Sequence, residues 1–274
     1  MGKVVIERLP GGTNVAFGGT RTLVRLDRPW QVDIRVDPRT CPLENSGERP
    51  LQEFETGWRL LLNKHTPFPW HRLLVPEKCW PKDRIRSLGG PRQIESVLRI
   101  VEEITNSELS EFWLGVHVGP SAGQNIAHVH YHLLKPIRSN SKRLNEVPKY
   151  YSSLPNKLLQ EGGFKVVLGG LRAGQCFVLP ISKQPRRSEW VPDLANILHR
   201  LITLFAEKFR SVQDLPPDYI IAVRLLGSKI VYASFIPILN NWGFTEYLGL
   251  LERTPVILPW SPEQTASLLT AERK

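Results

Sequence analysis

The stretch AGQNIAHVHYHLL, residues 122–134, constrains the chain more than any other. Three of the seven histidines, His128, His130 and His132, alternate there with Val129 and Tyr131, directly after a glycine-containing turn. A period of two is that of a β-strand, whose successive side chains point to opposite faces. The spacing predicts three imidazoles on one face, roughly 6–7 Å apart from neighbour to neighbour. Three chemistries fit such a row: a metal site, a nucleophile with helpers, or a solvated polar face. A metal needs donors within about 2 Å of one ion, and alternate residues of a regular strand converge poorly without ligands from elsewhere. A neutral imidazole can also attack phosphorus, while its neighbours orient it and donate hydrogen bonds to phosphate oxygens. The preceding GPSAGQN offers backbone N–H groups for an anion-binding nest.

Around this stretch the pattern is that of an α+β unit on a mainly antiparallel sheet. The opening residues hold short β-like runs, KVVIERL, TLVRL and QVDIRV. WRLLLNK and HRLLVPE read as neighbouring strands joined by HTPFP. PRQIESVLRIVEEITNS has Ile94, Val97, Leu98, Val101 and Ile104 at helical spacing. FWLGVHVG then leads through PSAGQN into the histidine strand. A polar stretch, IRSNSKRLNEVPKYYSSLPN, reads as a linker or crossover. After it a related order recurs: strands FKVVLGG and QCFVLPIS, the long amphipathic helix VPDLANILHRLITLFAEKFRSV, then strands DYIIAVRLL and KIVYASFIPIL. The closing SPEQTASLL reads as a helix, with Ser261 as cap, Pro262 at the first position and Gln264 completing a capping box. The expected division is a repeat over 1–136, a linker over 137–155 and a second repeat over 156–274, without the histidines.

Here the sequence resembles a known family. GPSAGQNIAHVHYHLL is similar to the signature of the histidine-triad superfamily, and LLNKHTPFPWHRLLVPE to its partner segment, with Asn63 eight residues before His71. The two-repeat plan resembles the galactose-1-phosphate uridylyltransferase branch. So do the ending NNWGFTEYLGLLERTPVILPWSPEQTASLL and the loop VDPRTCPLENSGERP. The resemblance is carried by residues 55–135 and extends to 30–55 and 235–270. It implies two HIT-like repeats and a nucleotidyltransferase or phosphorylase acting through a covalent nucleotidyl-histidine. His130 would be the nucleophile, with His128 and His132 positioning it and the phosphates. Asn125 and Gln124 would contact phosphate, and Asn63 the ribose. His71 would complete the partner segment, or serve as a structural buried histidine. His117 stands where relatives often have an amide.

Three departures bear on specificity. Transferases of this branch usually carry Gln at the third triad position, where this chain has His132, as hydrolases do; hydrolysis of the same intermediate is therefore the second expectation. The usual His-Pro-His is His128-Val129-His130, and the second-repeat histidines are replaced within KIVYASFIPIL. The family's Cys-x-x-Cys loop becomes Cys41-Pro42-Leu43-Glu44. The resemblance then implies a structural zinc held by Cys41, Glu44, Cys79 and His128, the alternative being two buried free cysteines.

Composition sets the remaining bounds. A formal charge of +10 and a pI near 9.7 favour anionic partners, here a nucleotide or nucleotide-sugar and a phosphate-bearing acceptor. The Arg and Lys residues form no block, so nucleic acid is the weaker partner, and a catalytically silent nucleotide- or nucleic-acid-binding module is the remaining alternative. Without an eighteen-residue apolar run or an apolar leader, neither a membrane span nor secretion is expected. The three cysteines make no disulfide framework, so a cytoplasmic protein with reduced thiols is expected, its homodimerisation left open.

Overall fold

The computed structural model describes residues 5–9, 12–17, 20–24, 41, 43–44, 49–63, 66, 68–106, 110–124, 126–136, 141–153, 156–169, 172–181, 189–209, 216–239 and 262–270. The expected strand QVDIRV, the cap Ser261, the candidate Asn125 and residues 240–260 of the C-terminal motif lie outside them.

A small antiparallel sheet contains β1 (Val5–Leu9), β2 (Gly12–Phe17) and β3 (Thr20–Val24). The main sheet begins with β4 (Gln52–Phe54), β5 (Trp58–Leu62) and β6 (His71–Pro76). Two helices follow, α1 (Lys82–Arg86) and α2 (Pro91–Thr105), then β7 (Glu111–Val118) and β8 (Tyr131–Leu134). Helix α3 (Ser141–Ser152) leads to β9 (Lys157–Glu161), β10 (Phe164–Leu168) and β11 (Cys176–Pro180). Helix α4 (Trp190–Lys208), β12 (Asp218–Leu226), β13 (Lys229–Ile238) and α5 (Pro262–Thr270) complete the chain. The ten strands run in the order β4-β5-β6-β8-β7-β12-β13-β11-β10-β9. The ladders are antiparallel throughout, and β7 meets β12 at the centre, with Val116 opposite Ile221. Helices α1 and α3 are additions to the sequence pattern: α3 forms inside the stretch expected as a linker. Its Tyr151 ring stacks on Phe177 at 3.7 Å, which gives a polar segment an apolar anchor.

The alternation along β7 shows how the sheet sorts its faces. Phe112, Leu114, Val116 and Val118 join the main core with the buried stripes of α2 (Ile94, Val97, Leu98, Val101) and α4 (Leu194, Leu198, Leu201, Phe205). Their neighbours Trp113, Gly115 and His117 point to the opposite face. Tyr131 and Leu133 of β8 belong to the core, which turns His132, paired with Gly115, to that same opposite face. Along β6, Leu74 is in the main core and Val75 in a smaller cluster with Cys41, Leu43 and Leu61. This small cluster packs Cys41 and Leu43 against β5 and β6. Among the described residues, no helix is long and apolar enough to cross a membrane.

Candidate active site

The histidines do not share one regular strand face, as their alternation predicts. Strand β8 starts only at Tyr131, and His128 and His130 precede it. The reason lies in β6: its ladder with β8 ends at the Leu74–Tyr131 pair, and the next free carbonyl is taken by a side chain. His128 Nε2–H donates to the Pro76 carbonyl at 3.0 Å, so the chain turns the imidazole inward where a strand would continue. His128 is fully buried.

Each ring is set by a different partner. A backbone carbonyl can only accept, so His130 carries its proton on Nδ1, donated to His128 O at 2.7 Å. The lone pair of His130 is thereby placed on Nε2. His130 and His132 have ring centroids 5.0 Å apart, and His117 lies 5.6 Å from His132. His71, 7% exposed, sits with Nε2 at 3.0 Å from His132 Nδ1 and Nδ1 at 2.6 Å from Thr66 Oγ1. Thr66 Oγ1 accepts the Phe68 N–H at 3.1 Å, which suits donation of its hydroxyl proton to His71. With that polarity His71 Nε2–H donates to His132, and His132 holds its own proton on Nε2. The Asn63 amide nitrogen lies 3.4–3.5 Å from the two His71 nitrogens.

Burial pushes His130 down to about 4, the His128 carbonyl bond opposing only part of that shift. His71 falls to about 4 for the same reason, with Arg72 and His130 adding to it. His117 is also lowered by burial, against a backbone hydrogen bond to Gly123. These three rings are neutral at pH 7. Charged imidazoles would be poor nucleophiles, so the cluster suits attack by a neutral nitrogen.

A second group forms behind His128. Cys79 Sγ lies 3.0 Å and Cys41 Sγ 3.3 Å from His128 Nδ1, and the three donor atoms fall within 4.8 Å of one another. Because Nε2–H is bound to Pro76 O, the Nδ1 lone pair faces both sulfurs. Two thiols converging on one imidazole nitrogen, its other nitrogen anchored on a carbonyl, is a donor set that fits a thiophilic ion such as zinc. Burial raises the Cys41 thiol, but hydrogen bonds, first from His128, bring it down to about 7. Cys79 is pushed up by burial and by Glu44 and Cys41; an ion bound there would favour the thiolate form of both. Of the four expected ligands, Glu44 stands outside this group of three. Its Oε2 accepts the Cys79 N–H at 3.0 Å, and hydrogen bonds first from the Cys79 thiol and then from this N–H hold its carboxyl below the usual range. A cavity of about 650 Å³ opens beside the cysteines, walled in part by Trp80, Arg86, Gln124 and Asp218.

The turn before the histidines differs from the expected nest. Gly119 N–H goes to Gln124 Oε1 (2.8 Å), Ser121 N–H to Asp218 Oδ2 (2.8 Å) and Ala122 N–H to Gly119 O (3.2 Å). Gly123 N–H goes to Pro120 O (2.9 Å) and Gln124 N–H to Gly119 O (3.2 Å). Over residues 119–124 the expected nest is filled by the chain's own carboxylate, amide and backbone carbonyls. Gln124, 6% exposed, spends its amide within the turn and on a long contact, 3.5 Å, to His128 O. Thr66, Arg86 and Asp218 carried no sequence signal, since Asp218 meets Ser121 across 97 residues.

No family model and no curated protein matches the chain. Solved structures do. A GalT-like protein from Arabidopsis thaliana superposes with a TM-score of 0.58 at 15% identity, covering 78% of this chain and 83% of that one. The ADP-glucose phosphorylase of Arabidopsis thaliana, with bound ADP-glucose, gives 0.57 at 14%, covering 79% and 82%. A uridylyltransferase gives 0.56 at 13%, covering 89% and 91%. The fold is GalT-like. At these identities the likeness concerns the path of the chain, and the GalT-like fold carries the histidine cluster and the Cys41–Cys79–His128 group on the half that ends in β8.

Proposed function

We propose that the protein is a nucleotidyltransferase or phosphorylase that carries the nucleotidyl group on His130. The single observation behind this reading is the His130 Nδ1–His128 O bond at 2.7 Å, which puts an uncharged lone pair on Nε2 beside His132. In the first step Nε2 attacks the α-phosphorus of a nucleoside diphosphate-type donor. A P–N bond forms, the P–O bond to the leaving group breaks, and the leaving group departs with its electron pair. His132 Nε2–H, backed by His71 and Thr66, donates to it or to the phosphate oxygens. In the second step an acceptor phosphate oxygen attacks, the P–N bond breaks, and the pair returns to His130. Asn63, beside His71, is assigned to the ribose and Asn125 to the phosphates, both from their sequence positions. The strand order, the same from either edge to the centre, supports reading residues 1–136 and 156–274 as two HIT-like repeats.

Zinc would be held by Cys41, Cys79 and His128, with Glu44 as a fourth ligand or as the acceptor that fixes Cys79. Bound there it would supply a structural cross-link and no reactive group.

Intact-mass measurement after mixing with UDP-glucose, ADP-glucose, a dinucleoside tetraphosphate and adenosine phosphosulfate tests the reading. One of them is expected to leave its nucleotidyl mass on the wild type and none on His130→Ala, which should retain nucleotide affinity and lose turnover by orders of magnitude. No adduct from any donor, or an adduct that persists in His130→Ala, would overturn it. Hydrolysis is the second reading, favoured by His132, since an imidazole backed by His71 can move a proton to or from water. Free nucleotide formed equally with and without added phosphate would select it.

A further inference from the structure

The Gly119–Gln124 turn has no backbone donor left for a substrate: five N–H groups are bonded inside the protein and Pro120 has none. It therefore acts on the site through what it holds. Gln124 reaches the His128 carbonyl, the atom that fixes the His130 tautomer, and the Gly123 backbone hydrogen-bonds His117. What holds the turn is Asp218, the first residue of β12, from the other half of the sheet. Its Oδ2 accepts Ser121 N–H at 2.8 Å, and its Oδ1 meets Arg86 Nη2 at 3.2 Å. Arg86 is itself fixed, donating Nη1 to Pro216 O (2.9 Å) and accepting the Tyr219 hydroxyl on its carbonyl (2.6 Å). The seat is tight. Gly119 has φ +90°, and a Cβ there would fall 1.9 Å from Asp218 Oδ1, so only glycine lets the carboxylate enter.

We infer that Asp218 is a positioning residue for the nucleophile, acting through Ser121, the turn, Gln124 and the His128 carbonyl on His130. This assignment rests on His130 being the nucleophile. A carboxylate supplied by the second half thus occupies the anion position of the turn and sets the aim of a ring in the first half. Since a displacement of about 1 Å at a reacting atom costs up to a hundredfold in rate, loosening this link should be read in the chemical step.

Rapid-quench measurement of adduct formation, with UDP-glucose and ADP-glucose as probes, tests it on wild type, Asp218→Ala and Asp218→Asn. Asp218→Ala is expected to lower the limiting rate at least about tenfold and to move the half-saturating concentration less than about threefold. Asp218→Asn should recover most of the rate, because its amide oxygen still accepts the Ser121 N–H. A limiting rate for Asp218→Ala within twofold of wild type, or equal losses in Ala and Asn, would overturn the assignment. Imidazole ¹⁵N spectra at neutral pH decide it independently of any nucleotide. His130 should be a single Nδ1–H tautomer in wild type and Asp218→Asn and a mixture in Asp218→Ala; an unchanged Asp218→Ala spectrum overturns the inference. Absence of an adduct in the wild type would instead strike the nucleotidyl-transfer reading and leave the spectra to judge Asp218. Should Asp218→Ala fail to fold, Gln124→Leu breaks the next link and is held to the same two readings.

Discussion

His132 differs from His130 in what stands behind it. His130 leans on a carbonyl that can only accept, whereas His132 leans on His71, a ring that can pass a proton either way. A glutamine at position 132 could still accept from His71 but could not shuttle protons. His132→Gln is therefore expected to keep adduct formation within about threefold of wild type while slowing release to water more than release to phosphate. Equal losses in both, read by product analysis, would contradict it. His71 has a consequence for stability. Its folded value near 4 lies below the ordinary value of about 6.5, so as pH falls the unfolded chain takes up the proton first. The stabilisation is complete above about 6.5 and is lost between 6.5 and 4, by on the order of 3 kcal/mol. Thermal unfolding followed across that range should show a drop that is smaller in His71→Gln.

At the scale of elements, Cys41 and Leu43 are held by an apolar cluster with Leu61 of β5 and Val75 of β6, and Cys41 also meets His128 at the start of the histidine loop. An ion there would join three separate pieces of chain. The purified protein is expected to carry about one zinc per chain. Cys41→Ser or Cys79→Ser should lower both zinc content and melting temperature; Cys176→Ser, fully buried in β11, should leave the zinc unchanged. Elemental analysis showing no zinc in the wild type would exclude the site without touching His130. Helices α2 and α4 and most strands of the main sheet were legible because each has one apolar face, as in α2 and β7. The end of β8 facing His128 was not, because a side chain replaces the ladder at Pro76 and periodicity cannot register that. For the same reason the nest was legible as a turn but not as one already filled: its filler, Asp218, is distant in sequence.

Among the described residues, the two halves of the main sheet pair through β7 and β12. Glu111 and Arg224 sit at that junction, nearly buried, with Arg224 Nη2 and Nε at 2.6 and 2.9 Å from one carboxylate oxygen. The guanidinium also lies over Trp113 at 5.1 Å. Removing one partner of such a pair strands the other charge, so Glu111→Ala should cost about 3–5 kcal/mol, and the double change Glu111→Leu with Arg224→Met should recover much of it. Denaturant unfolding of the two variants beside the wild type measures this; equal losses in single and double variants would refute it.

The same junction orders the events of folding. Strands β5 and β6, or β12 and β13, pair with near neighbours in sequence, whereas Val116 must find Ile221 more than a hundred residues away. Closing that loop is entropically the most demanding contact in the sheet, and nothing nearby rewards it until both flanking hairpins exist. Each half is thus expected to collapse first and the central ladder to zip afterwards. A weakened Glu111–Arg224 pair should then speed unfolding far more than it slows refolding, and the lifetime of the folded protein is set at the seam.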